Sequence, residues 1–286
     1  LTRTPAAPGT LWIVATPLGN LDDLSPRARG VLAEADIIAA EDTRVSRKLL
    51  PPRDKAPRWV ALHEHNEARA VEELVELLAA GMDVALVSDA GTPLISDPGY
   101  RLVDHAHTAG IRVSPVPGPC AAIAALSAAG LPSDRFCFEG FLPAKAGQRR
   151  KRLESLARER ATLIFYVPAR DLHRVLTDAA ATLGADRRAV VGRELTKRFE
   201  TVRRDRLKAL AEWVQGDPDQ QRGEAVLIIE GASEETSSPE LNATLLAREL
   251  AAELPPARAA RILARVSGMD RREAFSLVES VREREN

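Results

Sequence analysis

The chain has 286 residues, with 40 Lys and Arg against 41 Asp and Glu, a formal charge of −1. That balance excludes a uniformly basic nucleic-acid coat but not a local basic patch, and 45% hydrophobic with 28% charged residues excludes an extended disordered chain. Aromatic residues make up only 4%, which argues against recognition by rows of stacking rings, and two cysteines, Cys120 and Cys137, exclude a disulfide framework or a four-cysteine zinc site. No run of about 18 apolar residues reads as a membrane helix, and Leu1–Gly9 lacks the apolar core of a signal peptide. A cytoplasmic enzyme is the expectation.

Short apolar runs predict strands at Leu11–Ala15, Asp36–Ala40, Trp59–Leu62, Val84–Ser88 and Arg112–Val116. Helical patterns fall between and after them, at Pro26–Ala35, Thr43–Leu50, Glu67–Ala80, Tyr100–Ala109 and Cys120–Ala129. Unbroken Val/Ile/Leu runs suit strands covered on both faces, so this order predicts an α/β layer fold with a mostly parallel sheet. A second round follows. Strands are expected at Arg135–Phe138, Thr162–Val167, Ala189–Arg193 and Ala225–Glu230, and helices at Gln148–Glu159, Leu172–Leu183 and Asp205–Gln215. The Gly130-Leu131-Pro132 break places a junction there. The expected organisation is an α/β domain over 1–130, a second over 131–230, a polar linker over 231–240 and a helical appendage over 241–286. The appendage divides into Leu241–Glu253, Pro256–Arg265 and Arg271–Arg284, and a packing or dimer element is favoured over a nucleic-acid-reading one.

In an open parallel sheet, ligands bind at the carboxyl ends of strands. Three expected strand ends are rich in Gly, Pro and small polar residues: Thr16–Asn20, Ser88–Gly99 and Pro115–Ala122. Gly admits close approach of a ligand to the backbone and Pro stiffens a turn. Turns use the same residues, so each loop alone is weak; three on one edge point to a shared small-molecule site. The loops contain neither G-x-G-x-x-G nor G-x-x-x-x-G-K-[ST]. They are poor in Lys and Arg, which disfavours a polyphosphate and suits a cationic or zwitterionic ligand carrying adenine.

At these loops the chain resembles the tetrapyrrole-methylase superfamily of S-adenosylmethionine (SAM)-dependent methyltransferases. The resemblance is carried by Val14–Leu21, Ala40-Glu41-Asp42-Thr43-Arg44, His63–Asn66, Ser88–Gly99, Pro117-Gly118-Pro119, Phe138–Pro143 and Arg193-Glu194-Leu195-Thr196-Lys197. It implies two α/β domains with SAM in the cleft between them, a homodimer, and, in the branch most similar to this chain, 2′-O-methylation of a cytidine ribose in 16S rRNA of the 30S subunit, at the decoding centre. Position by position it assigns cofactor contacts to Pro17, Leu18, Ser88, Asp89, Gly91, Thr92, Ile95, Cys120, Ala121, Val167, Leu195 and Ala225. Thr92 stands where the superfamily has Asp, with Ser88 and Asp89 just upstream to compensate. Val167-Pro168-Ala169-Arg170 departs from the family's Glu-Ser-Pro-His-Arg, and Arg203-Arg204-Asp205 from an Arg-Gly pair.

Transfer of a methyl to a hydroxyl calls for a general base. Glu194, Glu41 and Asp42 are put forward first, with Asp89 and Glu139 behind. Asp42 or Thr43 equally reads as a helix N-cap. His63 and His65 point the same way on a strand end, but with no third ligand at hand no metal is expected. Cys120 reads as packing beside the cofactor. Two segments, 143–160 and 187–208, carry net charges of +5 and +6. A solvated helix is the usual meaning of such runs. Flanking the Glu194 motif, they are read here as an RNA-facing surface with Lys145, Arg149, Arg150, Arg152 and Lys197 on it. The competing readings are a small-molecule methyltransferase of tetrapyrrole type and a non-catalytic SAM-binding ribosome-assembly module.

Overall fold

A computed structural model describes residues 7–50, 56–63, 66–233 and 243–283. His65 and most of the expected 231–240 linker lie outside the described residues. Two compact units result. The larger takes in the described residues up to Ala157 and Ala161–Gly231; the smaller joins Arg158–Arg160 to the chain from Ala232 onward.

The first sheet of the larger unit is wholly parallel. Strands β1 (Thr10–Val14), β2 (Ile37–Ala40), β3 (Arg58–Ala61), β4 (Val84–Val87) and β5 (Arg112–Val116) lie in the order β3-β2-β4-β1-β5. Alternate residues of one strand serve opposite faces. Leu11, Ile37, Ala39, Val84 and Leu86 pack under helices α3 (Glu67–Ala79) and α4 (Tyr100–Thr108), while Val14, Ile38, Ala40, Ala85 and Val87 pack under α1 (Pro26–Glu34). This two-sided burial is why the strands read as continuous apolar runs. Helix α1 starts where expected: Ser25 accepts from the Ala28 N–H at 3.1 Å, and Pro26 occupies the first turn. The expected 43–50 helix is a single turn, α2 (Thr43–Ser46), followed by a 3₁₀ turn at Arg47–Leu49.

Helix α5 (Ala121–Ala129) follows β5 but packs on the second sheet. Its Ala122, Ala125, Leu126 and Ala129 meet Ile164, Val190, Val226 and Ile228. By packing, the change of sheet therefore falls at the Pro117–Pro119 turn. The helix ends at Gly130, whose φ of +60° suits a left-handed cap.

The second sheet comprises β6 (Phe136–Phe141), β7 (Thr162–Pro168), β8 (Arg188–Arg193), β9 (Thr201–Arg206) and β10 (Glu224–Ile229), in the order β6-β7-β10-β8-β9. Only β6 and β7 are parallel; the other pairings are antiparallel. The parallel character of the first sheet thus does not extend to the second. Its far face is covered by α6 (Ala146–Ser155), α7 (Leu172–Leu183) and α8 (Leu207–Gly216), over Leu163, Phe165, Val191, Leu227 and Ile229. Strand β9 went unpredicted, and the helix expected from Asp205 begins at Leu207. Thr-Val-Arg-Arg-Asp-Arg has no apolar alternation, because an edge strand carries charge where a central one cannot. One half-buried position is filled instead by Arg203, whose guanidinium lies 4.7 Å from the Trp213 ring centroid.

The smaller unit contains three helices among its described residues: α9 (Ala243–Glu253), α10 (Pro256–Ser267) and α11 (Arg271–Glu283). Its core is built largely from alanine, with Ala247, Ala251, Ala259, Ala260 and Ala274 around Leu263, Val278 and Val281. Small side chains let these short helices approach closely. No described helix is long and apolar enough to cross a membrane.

Candidate active site

Strands β4, β1 and β5 are neighbours and run the same way, so the three Gly/Pro-rich loops leave one edge of the sheet side by side. They are also tied to one another. Thr16 and Gly91 exchange backbone hydrogen bonds of 2.8 and 3.1 Å, joining the first loop to the second. The Thr92 hydroxyl donates to the Pro119 carbonyl at 2.8 Å, joining the second to the third. Thr92 thus spends its hydroxyl on the scaffold, a bond a carboxylate could not donate.

Across from these loops, the ends of β7, β8 and β10 and the 193–200 loop close a cavity of about 700 Å³, within the range of small-ligand and cofactor sites. Of the expected cofactor contacts, Leu18, Asp89, Gly91, Thr92, Ile95, Ala121, Val167, Leu195 and Ala225 line it. Pro17, Ser88 and Cys120 are not on its wall; Pro17 and Ser88 are buried. The Ser88 hydroxyl donates to the Gly91 carbonyl at 3.2 Å, and Cys120 stands at the N-cap position of α5 without a side-chain cap bond. Gly91 has φ of +87°, and a Cβ there would stand 3.2 Å from Leu18 Cδ2.

The loops that supply the walls hold unusual backbone. Leu94 and Ser96 on one side and Glu194 and Thr196 on the other have φ between 49° and 72°. For non-glycine residues such torsions are costly, and they collect at ligand sites held by surrounding structure. That support is visible around the 193–200 loop. Buried Arg193 donates to Gln220 Oε1, to the Arg222 carbonyl and to the Phe199 carbonyl at 3.0–3.1 Å. Glu194 Oε1 accepts from Lys197 Nζ and from the Glu224 N–H, each at 3.0 Å. The stem of Lys197 then crosses the first loop: a Cβ on Gly19 would lie 2.2 Å from Lys197 Cγ.

These contacts sort the expected general bases. Glu194 lines the cavity, but its carboxylate is committed. Burial pushes its pKa up, and the Lys197 ammonium and Glu224 N–H outweigh that and hold it below the usual range. Asp42 is not on the cavity wall. It caps α2, accepting from the Arg44 N–H at 2.8 Å, and its ion pair with the Arg44 side chain lowers it to about 2. A carboxylate held that acidic is a poor proton acceptor. Glu41 also stands off the wall, and Glu139 is ion-paired with Arg152. Asp89 is on the wall, raised by burial, and accepts from the Asp42 N–H at 3.1 Å.

Asp97, not among the residues put forward, fits better. It lies on the cavity wall, and burial pushes it up to about 6; the polar Ser88 hydroxyl nearby pulls the other way, while Glu41 and Asp89 add to the rise. The sequence signal was present, since Asp97 belongs to the Ser88–Gly99 loop, but spacing alone does not distinguish it from Asp89. Tyr166, Phe141 and Arg170 also line the cavity without having been singled out. Burial raises the Tyr166 phenol, which stays protonated.

The basic surface needs correction. Arg149 is buried. Its guanidinium bonds Asp178 through Nε at 2.8 Å and Nη2 at 2.6 Å, and donates to the Ala144 carbonyl at 2.9 Å. The buried positions of α6 recur four apart, at Arg149 and Leu153, and form the stripe that packs on α7, so Arg149 does not reach RNA. Arg150 and Arg152 are exposed, with bonds to Asp178 and Glu139; Lys145 is exposed, and Lys197 is held by Glu194 and Glu224.

Comparison with known proteins agrees with this architecture. Residues 10–211 match the family described as Tetrapyrrole (Corrin/Porphyrin) Methylases. The chain is 52% identical over 263 residues to the ribosomal RNA small subunit methyltransferase I of Pseudomonas aeruginosa, covering 91% of this chain and 93% of that one. It is 50% identical to the protein of the same name from Escherichia coli O157:H7, covering 91% of each. Among solved structures, the methyltransferase CobJ superposes with a TM-score of 0.60 at 23% identity, covering 78% of this chain and 95% of CobJ. Uroporphyrin-III C-methyl transferase from Thermus thermophilus, complexed with S-adenyl homocysteine, gives 0.54 at 20% identity, covering 78% and 97%. With a family match over most of its length and relatives near 50% identity, the chain belongs to the tetrapyrrole methylase family of methyltransferases.

Proposed function

We propose that the chain transfers the methyl group of SAM to a cytidine ribose 2′-hydroxyl of 16S rRNA in the 30S subunit, acting as a cytoplasmic homodimer. The observation that carries this reading is identity near 50%, over nine-tenths of the chain, to proteins named for small-subunit rRNA methylation. The cavity suits the cofactor. Leu18, Ile95, Leu195 and Val167 supply apolar wall, Gly91 allows close backbone approach, and Asp89 places negative charge where a sulfonium would be favoured. When bound, SAM supplies a methyl already activated by its positive sulfur.

The protein's own work is then alignment and proton removal. Alignment of two bound partners is worth about 7–11 kcal/mol of the barrier. Asp97 takes the hydroxyl proton on this reading, and Glu194 with Lys197 positions the 193–200 loop. Lys145, Arg150 and Arg152 offer cations to phosphates. Incubation with methyl-tritiated SAM and 30S subunits lacking the modification tests the whole reading. Label is expected in 16S rRNA at an alkali-resistant ribose. Label only in a small molecule, or SAM binding without transfer, would replace the reading with a small-molecule methyltransferase or a binding module.

The cofactor placement has its own test. Val at Gly91 must adopt a φ that β-branched residues avoid, and must displace Leu18. G91V is expected to weaken SAM binding about tenfold or more, a loss of about 1.4 kcal/mol. Calorimetry giving wild-type affinity for a folded G91V protein would move the cofactor away from this loop.

A further inference from the structure

Aromatic residues are scarce in this chain, yet several gather at one place. On edge strand β6, Phe136 and Phe138 are two apart and share a face. Phe141 lies three further on and would point the opposite way in a regular strand. A bulge at Glu139 absorbs one residue, since Phe138 pairs with Ile164 and Gly140 with Phe165. The alternation flips, and Phe141 returns to the face of Phe138. Both then pack edge-on against Tyr166, with ring centroids 4.9 Å and 5.6 Å away. The bulged residue is pinned by the Glu139–Arg152 ion pair. Gly140, with φ of +64°, lets Ser96 of the acidic loop come close: a Cβ there would stand 3.3 Å from Ser96 Oγ. Tyr166 and Phe141 form part of the wall that also holds Asp97.

Core packing does not account for this arrangement. Phe141 is 58% exposed and Phe138 36%. Of the two cations on the cavity wall, Lys197 is paired with two carboxylates, whereas Arg170 has no carboxylate partner among the described residues. An accessible aromatic surface and an unpaired guanidinium at one cavity match the two ends of a nucleotide, base and phosphate. We infer that Phe138 and Phe141, braced by Tyr166, form the platform on which an unstacked RNA base lies while its ribose faces Asp97. A base held in a duplex could not reach it, so the substrate is single-stranded RNA or a nucleotide turned out of its stack. This inference rests on the RNA reading above and names the part of the substrate that the aromatic wall recognises.

The test uses the full chain, tritiated SAM and 30S subunits lacking the modification. F138L/F141L keeps apolar bulk but removes the π-face. Its kcat/KM for 30S subunits is expected to fall roughly 5- to 150-fold, the range of a lost base–aromatic stack, with SAM affinity unchanged. F141W, which restores a π-face, is expected to recover most of the kcat/KM that F141L loses, which a purely space-filling role would not predict for so large a ring. Wild-type kcat/KM in F138L/F141L would overturn the platform. So would conversion of a wild-type dimer to a monomer by that variant, since the rings would then be a contact between copies of the chain. Failure of the wild-type protein itself to label RNA would remove the RNA reading and the platform with it, a result distinct from an active wild type with unaffected leucine variants.

Discussion

Replacing Asp97 by Asn is expected to reduce methyl transfer roughly 10²–10⁴-fold, the range for removal of a general base, with SAM affinity little changed. The pH profile carries the sharper signature. With the folded carboxyl raised to about 6, wild-type kcat/KM should fall tenfold per pH unit below that value, and D97N should lose this limb. The groups that set the position of the limb are Ser88, Glu41 and Asp89 from the first sheet's loops, with the neutral Tyr166 facing them from the second. The stability effect has the opposite sign to the activity effect. The ordinary Asp value is 3.8, and folding raises it, so the folded state is penalised for keeping Asp97 charged. That penalty is absent below about pH 4, grows as pH rises through the interval, and is complete above about 6. D97N should therefore melt a few degrees higher than wild type at pH 8 and at the same temperature at pH 4. Wild-type turnover in D97N would return the role to Glu194, Glu41 or Asp89, and E194Q and E41Q are the variants to measure next.

The largest effect on folding is expected at Arg149. Its ion pair with Asp178 is 4% and 6% exposed at the two side chains, and one guanidinium also satisfies carbonyls of the 143–144 turn. Deleting one partner of such a pair leaves an incompletely compensated buried charge, which costs about 3–5 kcal/mol. For a domain of this size 1 kcal/mol moves Tm by roughly 2–4 °C, so R149A should melt at least ~6 °C lower. R149K should fall between, since an ammonium cannot reproduce the fork. Replacing both partners by apolar residues, as in R149M/D178L, should recover part of the loss. Asp178 adds an acid limb. Burial pushes its pKa up, but Arg150 and Arg149 outweigh that and hold it below 3.8; the pair's stabilisation is thus present above 3.8 and is lost as pH falls through the lowered value. If Arg149 served RNA instead, R149A would keep its Tm and lose 30S affinity, and a melting curve beside a binding curve separates the two.

Much of the larger unit was legible from residue order alone. Strands covered on both faces must be apolar throughout, so β1, β2, β4, β7 and β10 announced themselves within one residue at either end. Helix starts such as Ser25-Pro26 follow from local hydrogen bonding that needs no partner far along the chain. The ligand-binding edge was legible for a related reason: Gly and Pro gather where backbone must turn tightly and approach a ligand, and parallel strands put those turns on one side. The motif stretches, compared with known sequences, identified the family.

Other features depended on contacts between distant residues. Strand β9 carries its charges on a sheet edge, and no alternation marks it until β8 is beside it. The second sheet's antiparallel order is a matter of which strands pair, which local pattern does not encode. Arg149 and Arg152 look alike in a basic run, yet helical rotation and the position of Asp178 on α7 bury the first and leave the second in solvent. Asp42 and Asp97 are likewise both acidic loop residues. Arg44, two positions on, holds the one acidic, while burial under a covering wall, helped by Glu41 and Asp89, raises the other. The low aromatic content was a true average that concealed a local concentration, because a one-residue bulge decides whether Phe141 meets Tyr166. Composition and periodicity record what each residue prefers; burial, charge neighbours and register arise only when the chain is folded on itself.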